Sequence, residues 1–585
     1  MRRIAVFLSA ALAAGAAGAA PVADLVLIHG KVVTLEAKQP SAEALAVKDG
    51  RILAVGSEAD IKPYIGKATQ VVDMHGGTAV PGFIEGHGHF LELGQSLQQL
   101  DLTKTKDWDG VVALVAAAVK KAKPGQWILG RGWHQEKWTH PPQPNVEGLP
   151  LHASLDKVSP ANPVMLTHAS GHGIFVNGVV LKLIGVQKGT PDPAGGQIVK
   201  DAAGEPVGFL RDNAMNPAHQ AYQAAIQGAG EQQNVAQLRE AAKLASADAL
   251  AKGITSFVDQ GESFAALDAL KQLAHDGGLP LRLYAEVDPG GDDMGLAAAA
   301  KYQKYPPLEQ LQRFLPDHRI IGYAQDHFTV RAVGEVYSDG ALGTHTAWFL
   351  KPYDDLPSST GVSVLAPNDI RAWAEASLKA GYQVTTHAIG DRANREVLDV
   401  YQALFAAHPE AKDQRWRIEH VQHLDPADIP RFGKLGVIAS MQSIHECSDA
   451  PYVVKRLGAE RAKQGAYAWH AIIASGGMIA NGTDVPVEDE DPIPNFYCAV
   501  TRRAKNDGTP FYPEQAMTRE EALKSYTWNN AYATFTEGKL GSLKAGKYAD
   551  ITVLSQDILT VPEADIPATK VLYTLVGGKV AYRRP

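Results

Sequence analysis

The stretch Pro81-Gly-Phe-Ile-Glu-Gly-His-Gly-His89 decides how the rest of the chain is read. A short apolar run passes through glycine into two histidines spaced two apart. On an extended strand such residues point the same way, so His87 and His89 can offer two imidazoles to one cation. The glycines beside His87 leave room for that cation close to the backbone. Later apolar runs end in the same kind of residue. His387 follows Tyr382-Gln-Val-Thr-Thr386, His420 follows Arg417-Ile-Glu419, and Asp484 follows Ile479-Ala-Asn-Gly-Thr483. In a closed parallel barrel each strand delivers its last side chain to the catalytic mouth, which gives these endings one destination.

Outward from that motif, eight strand candidates lie at 78–84, 253–258, 281–286, 328–335, 383–386, 416–419, 437–441 and 478–483. Long amphipathic stretches such as 234–252, 368–380 and 392–406 separate them. Eight β–α units argue for an α/β fold with a (β/α)8 TIM-type barrel. An open doubly wound sheet is disfavoured, because the Gly-rich dinucleotide fingerprint is missing. Short β-rich runs with turn dipeptides occupy residues 24–80 and return at 550–582, so the two chain ends are expected to pair as one small β-sandwich. The expected division is residues 21–79 and 536–585 for the sandwich and 80–535 for the barrel. A Gly- and Pro-rich insertion at about 94–230, after barrel strand one, would cover the mouth.

Residues 1–20 read as a secretory signal peptide: Arg2 and Arg3, then a run of small and apolar residues ending in Ala-Gly-Ala-Ala before Pro21. The run is too short and too rich in Ala and Gly for a membrane anchor, and no later segment reads as a span. An exported protein, periplasmic or secreted, is therefore expected. With 585 residues the chain exceeds one ordinary core. Its formal charge of −8 gives no electrostatic reason to expect nucleic acid as a partner. Cys447 and Cys498 are the only cysteines, which excludes a Cys-rich metal site; whether they pair is not decided by sequence. Histidine is the unusual feature, with 20 in the chain.

These motifs resemble the amidohydrolase superfamily, in its family 3 (YtcJ-like) branch. The residues that carry the likeness are 81–89, Thr386-His-Ala-Ile-Gly-Asp391, Ile418-Glu-His-Val-Gln422, Ser440-Met-Gln442 and Asn481-Gly-Thr-Asp-Val-Pro486. Ser338-Asp-Gly-Ala-Leu-Gly343 and Gly130-Arg-Gly-Trp133 match less closely. The resemblance spans nearly the whole mature chain and implies a metal-dependent hydrolase on a distorted barrel. It implies His87 and His89 on a first metal and His387 and His420 on a second. Asp484 would bind the first metal and shuttle the catalytic proton. Members of the branch often carry, four residues before the Asp-Gly of strand four, a lysine that is carboxylated to bridge the metals. Here Asp339-Gly340 puts Glu335 at that position. A glutamate supplies two oxygens directly, and leaving it as an unpaired charge within a barrel strand would be costly. Glu85 is expected to support a histidine from behind, and Asp391 to cap or orient the helix that it starts.

The N/O ligand set without thiolate suits Zn²⁺, one or two per chain, with Mn²⁺ or Fe²⁺ as alternatives. The expected reaction is attack of metal-activated water on a small-molecule amide, cutting a C–N bond other than a peptide bond. The same site acting on an ester or lactone, or a silent binding protein, are the competing readings. Candidate substrate contacts are Trp133, His134, His172 and Asn177 in the insertion and His445 after strand seven. The acidic run Glu488-Asp-Glu-Asp491 reads as a solvated loop. The reading allows a homodimer.

Overall fold

The computed structural model describes residues 21–228 and 230–585. The leader assigned to residues 1–20 lies outside the described residues. Eight parallel strands form the centre: β1 (Phe83–Gly88), β2 (Ile254–Glu262), β3 (Arg282–Val287), β4 (Phe328–Tyr337), β5 (Gln383–Ala388), β6 (Arg417–His420), β7 (Ile438–Met441) and β8 (Met478–Asn481). Each pairs with its sequence neighbour, and helices such as Phe264–His275, Pro367–Lys379 and Asp391–Ala407 fill the crossovers. The strands are nearly continuous runs of buried residues, as expected where helices cover the outside and side chains fill the inside.

The barrel closes through a side chain. Between β8 and β1 the ladder is replaced by Asn530, whose Nδ2 donates to Ile84 O and to Asn481 O, both at 2.7 Å, while Asn481 N donates to Asn530 Oδ1. Above it, Asp484 N donates to His87 O (2.7 Å) and His89 N to Val485 O (2.7 Å), which locks the loop after β8 against β1. A Cβ on Gly86 would fall 2.5 Å from Asn481 O and 2.6 Å from Asn530 Nδ2, so only glycine fits this seam.

The expected first barrel strand, 78–84, belongs to two layers. Thr78–Pro81 joins the sandwich, pairing antiparallel with Ile551–Leu554, and the barrel begins at Phe83. Gly82 marks the transfer, pressed so close to Thr255 that a Cβ would overlap its hydroxyl. The sandwich stacks a four-stranded sheet from the N-terminal region on a six-stranded sheet built from both chain ends. Leu25, Leu27 and Leu45 meet Leu543, Ile551 and Leu575 in one core.

The insertion after β1 is a third layer with its own six-stranded sheet, from Leu100–Asp101 to Pro206–Asp212. Trp108, Trp133, Trp138, Phe175 and Phe209 form its core. Among the described residues no helix is long and apolar enough to cross a membrane.

Candidate metal centre and active site

Four histidines and two carboxylates from five strands meet at the mouth. His87, His387, His420, Glu335 and Asp484 are all buried, and His89 keeps slight exposure. Asp484 Oδ1 lies 3.2 Å from His89 Nε2 and 3.5 Å from His87 Nε2. Glu335 Oε1 lies 3.1 Å from His387 Nδ1 and 2.9 Å from His420 Nε2. His87, Glu335 and His420 also form a set whose donor atoms fall within 4.8 Å of one another, as do His87, His89 and Asp484. The two halves are therefore one contiguous donor set with His87 shared between them.

Outer hydrogen bonds aim the rings. His87 Nδ1 donates to Glu419 Oε2 (2.7 Å), His420 Nδ1 to Gln442 Oε1 (2.8 Å), and His387 Nε2 to Gly340 O (3.4 Å). Each acceptor holds a ring proton on the outside and turns the other nitrogen's lone pair inward, the tautomer a cation requires. His87 Nε2 is buried and makes no hydrogen bond. His420 and Asp484 sit at φ +71° and +60°, uncommon for residues with a side chain, so the backbone is bent to bring them in.

The electrostatics agree with this geometry. Burial pushes the Asp484 carboxyl up, but the His87 and His89 imidazoles facing it at 3.5 and 3.2 Å outweigh that and hold the group well below the usual range. Glu335 behaves likewise: burial opposes ionisation, and the charges of His420, His87 and His387 overcome it. Burial would keep His87 neutral, yet the Glu335 and Asp484 charges pull it well up. His89 is raised to about 9, with burial again opposed by Asp484. Two buried carboxylates thus demand positive charge where imidazole lone pairs converge. The residues present fit a divalent cation.

Behind the centre, the barrel interior holds a polar chain. Glu419 Oε1 accepts from Arg417 Nε (2.7 Å), and Arg417 reaches on to Glu286. Asp339 receives the backbone N–H groups of Trp348, Ile389 and Gly390 at 2.7–2.9 Å and faces His387 Nε2 at 3.5 Å. Burial raises Asp339 to about 7 against these three donors.

A narrow cleft of about 50 Å³ opens onto Asp484 and His420. His134, His172 and His445 line it, as the sequence suggests. His172 Nδ1 is 2.8 Å from Asp212 Oδ1, and its ring centroid lies 4.8 Å from that of His387. His445 Nδ1 faces Gln422 Nε2 at 3.1 Å, and its Nε2 lies 3.9 Å from Asp484 Oδ2.

Trp133 and Asn177 are not brought there. Trp133 is fully buried in the insertion's aromatic core, donating to Leu166 O. Asn177 caps the helix Gly178–Leu183, and its amide donates to Ser159 and Asn162 O. Glu85 supports the site differently from expectation. It accepts from the backbone N–H groups of His87 (3.1 Å) and Thr483 (2.7 Å), fixing the chain and leaving the His87 ring to Glu419. Asp391 starts the helix Asp391–Ala407 and accepts from Leu350 N, away from the cluster.

The acidic run is only partly a solvated loop. Glu488 is buried between Lys137 (3.2 Å) and Lys505 (2.9 Å), and Glu490 is buried against Lys252 (3.0 Å). The sequence reading also passes over Glu419 and Lys137. The signal for Glu419 was present: Arg417-Ile-Glu419 alternates charge and apolar, the pattern of a strand with one polar face turned inward.

A set of inward-facing histidines and carboxylates at the C-terminal mouth of a β/α barrel defines a metal-dependent hydrolase. Comparison with known proteins agrees and makes the class specific. The chain belongs to the amidohydrolase family, whose Amidohydro_3 model matches residues 70–582. It is 34% identical to Protein LONG AFTER FAR-RED 3 of Arabidopsis thaliana, covering 96% of this chain and 92% of that one. It is 26% identical to the N-substituted formamide deformylase of Arthrobacter pascens over 96% of this chain and 98% of the other. Among solved structures, an uncharacterized metal-dependent hydrolase from Pyrococcus furiosus superposes with a TM-score of 0.67 at 25% identity, covering 92% of this chain and all of that one.

Proposed function

We propose that this protein is an exported hydrolase that cleaves the C–N bond of a small non-peptide amide, with Zn²⁺ as its cation. The observation that carries the reading is the convergence of His87, His89, His387 and His420 with Glu335 and Asp484 below an open cleft. A divalent cation bound there supplies a Lewis acid and brings the acidity of water toward neutral pH. His87, His89 and Asp484 would hold one cation and His387 and His420 a second, with Glu335 contributing to both.

The chain's own groups account for the proton. Asp484 Oδ2 faces the cleft, 3.9 Å from His445 Nε2. It is held anionic and so accepts the proton of the attacking water, then returns it to the leaving nitrogen. His172 and His445, on opposite sides of the cluster, orient the carbonyl and its tetrahedral successor. The likeness to a formamide deformylase supports a C–N bond as the target. Export is supported by the leader-like residues 1–20 and by the Cys447–Cys498 disulfide (Cα–Cα 6.0 Å), a bond suited to an oxidising compartment.

Metal analysis of the purified protein, with a panel of N-formyl, N-acyl and cyclic amides beside matched esters, tests the reading. The expected result is bound cation with turnover of at least one amide class. Retained cation with no amide hydrolysed would overturn it. Glu335→Gln is expected to lower cation stoichiometry, and unchanged stoichiometry would remove Glu335 from the ligand set.

A further inference from the structure

A second, larger cavity sits at the other end of the barrel. It measures about 420 Å³ and opens beside the N-terminal ends of β4 and β5, where Arg331, Tyr382 and Gln383 lie. Arg331 and Glu335 stand on the same strand, four residues and about 13 Å apart along it, so this cavity is separate from the metal centre. Loops at this face of a barrel ordinarily serve stability and carry no chemistry.

Its lining is cationic and poorly neutralised. Arg319, Arg331, Lys379 and Lys412 face two carboxylates, Glu410 and Asp413. Both carboxylates are already engaged: Glu410 lies 3.1 Å from His408 Nδ1, and Asp413 takes the fork of Arg415 at 2.8 and 3.0 Å. Arg415 is further neutralised by Glu537. The four lining cations form no ion pair among the described residues. Arg319 donates through Nε to Gly381 O (3.0 Å), which fixes the orientation of its fork. Arg331 is half-buried with its guanidinium 3.4 Å from the centre of the Phe535 ring, whose region also receives Arg415 at 4.4 Å. Stacking satisfies the face of Arg331 but none of its N–H edge. Burial and the nearby charges of Arg319 and Arg415 press against its protonated form. A half-buried guanidinium beside like charges is costly unless something anionic visits.

We propose that this cavity binds a small tetrahedral oxyanion, a phosphate or phosphate ester, through Arg319 and Arg331, with Lys379 and Lys412 at its entrance. Arginine forks match the paired oxygens of phosphate and hold them by two parallel hydrogen bonds. The volume exceeds that of one phosphate and accommodates pyrophosphate or a phosphomonoester.

Calorimetric titration of the full metal-loaded protein with inorganic phosphate, pyrophosphate and methyl phosphate tests the site. Saturable binding is expected, tighter for pyrophosphate than for phosphate, while methyl phosphate distinguishes an ester ligand from the free ion. Arg331→Gln and Arg319→Gln should each weaken binding at least fivefold and together at least fiftyfold. Lys379→Gln with Lys412→Gln, both exposed and remote from any core, should weaken it about threefold and guards against misfolding of the arginine variants. Absence of saturable binding in the wild type would overturn the proposal. So would affinity unchanged in the arginine and lysine variants, which would place the anion at the metal centre.

Discussion

The barrel rim and the insertion above it are built from the same residue types and use them in opposite ways. On the rim, histidines and carboxylates at strand ends point into one space, and their outer atoms are held by Glu419, Gln442 and Gly340 O. In the insertion, histidine, tryptophan and asparagine are mostly consumed by the sheet's own packing. Trp133 stacks on Trp138 (5.7 Å) and meets Phe209 edge-on (5.5 Å), and Asn177 closes a helix start. Of those residue types, His134 and His172 reach the cleft, beside Lys137, Ala169 and Ser170. The rim fixes chemistry; the insertion fixes a roof.

Opposed substitutions test that division most strongly. Asp484→Asn should keep the fold, weaken the cation that His87 and His89 share with it, and, at saturating cation, lower kcat by about 10²–10⁴-fold, the range for loss of a proton-transfer group. Trp133→Ala should do the reverse, costing about 3–5 kcal/mol of stability from a buried aromatic core with cation stoichiometry unchanged. Thermal melts and metal analysis on both variants decide it. A stable Trp133→Ala protein with a raised KM would turn the roof tryptophan into a substrate contact and break the comparison.

The next effect concerns what aims the rim. Glu419→Gln leaves a neutral group opposite His87 Nδ1 and leaves Arg417 with Glu286 as its remaining carboxylate. Loss of such an orienting carboxylate should weaken cation affinity about 10–100-fold. Competition against a chelator measures it, and wild-type affinity in the variant would make Glu419 a partner of Arg417 alone.

How much of this was legible follows from how each residue signals itself. A parallel barrel strand is buried on both faces, so it appears as an apolar run whose end is easy to see. That is why β1 to β8 and the residues closing them can be read from sequence. Asn530 cannot: it bridges β8 and β1 from a short helix, and no periodicity marks an amide that substitutes for a ladder. Glu488 misleads because an acidic run normally faces solvent, whereas here Lys137 and Lys505 arrive from distant segments to bury it. Trp133 misleads because an aromatic beside Gly132 looks the same in a core or a cleft.

Where the two regions join, a smaller effect is expected. Lys137 belongs to the insertion and Glu488 to the loop after β8, so their 3.2 Å pair fastens roof to rim. Lys137→Met keeps Lys505 on Glu488 and removes only the fastening. A charge-assisted hydrogen bond of this kind contributes about 1.5 kcal/mol, so KM should rise roughly tenfold with kcat held. Equal losses in kcat and kcat/KM would mean that Lys137 acts on the reaction itself.

The smallest effect sharpens the comparison from the rim side, because one rim carboxylate plays no part in the chemistry. Glu446 follows His445 on the helix Ser443–Leu457, buried, with neither oxygen hydrogen-bonded. Burial raises it from an ordinary 4.5 to about 8, with Arg502 only partly opposing. A carboxyl raised on folding contributes stability that is fully present below pH 4.5 and lost as the pH rises through about 8. Relaxation and water entry absorb much of that burial penalty, so we expect about 1 kcal/mol of loss between about pH 5 and pH 9. Glu446→Gln, neutral throughout, should flatten this slope and be the more stable protein at the alkaline end. Denaturant melts of both proteins across that range supply the measurement. Parallel slopes would show that Glu446 stays ionised in the fold, with Arg502 as the charge that holds it.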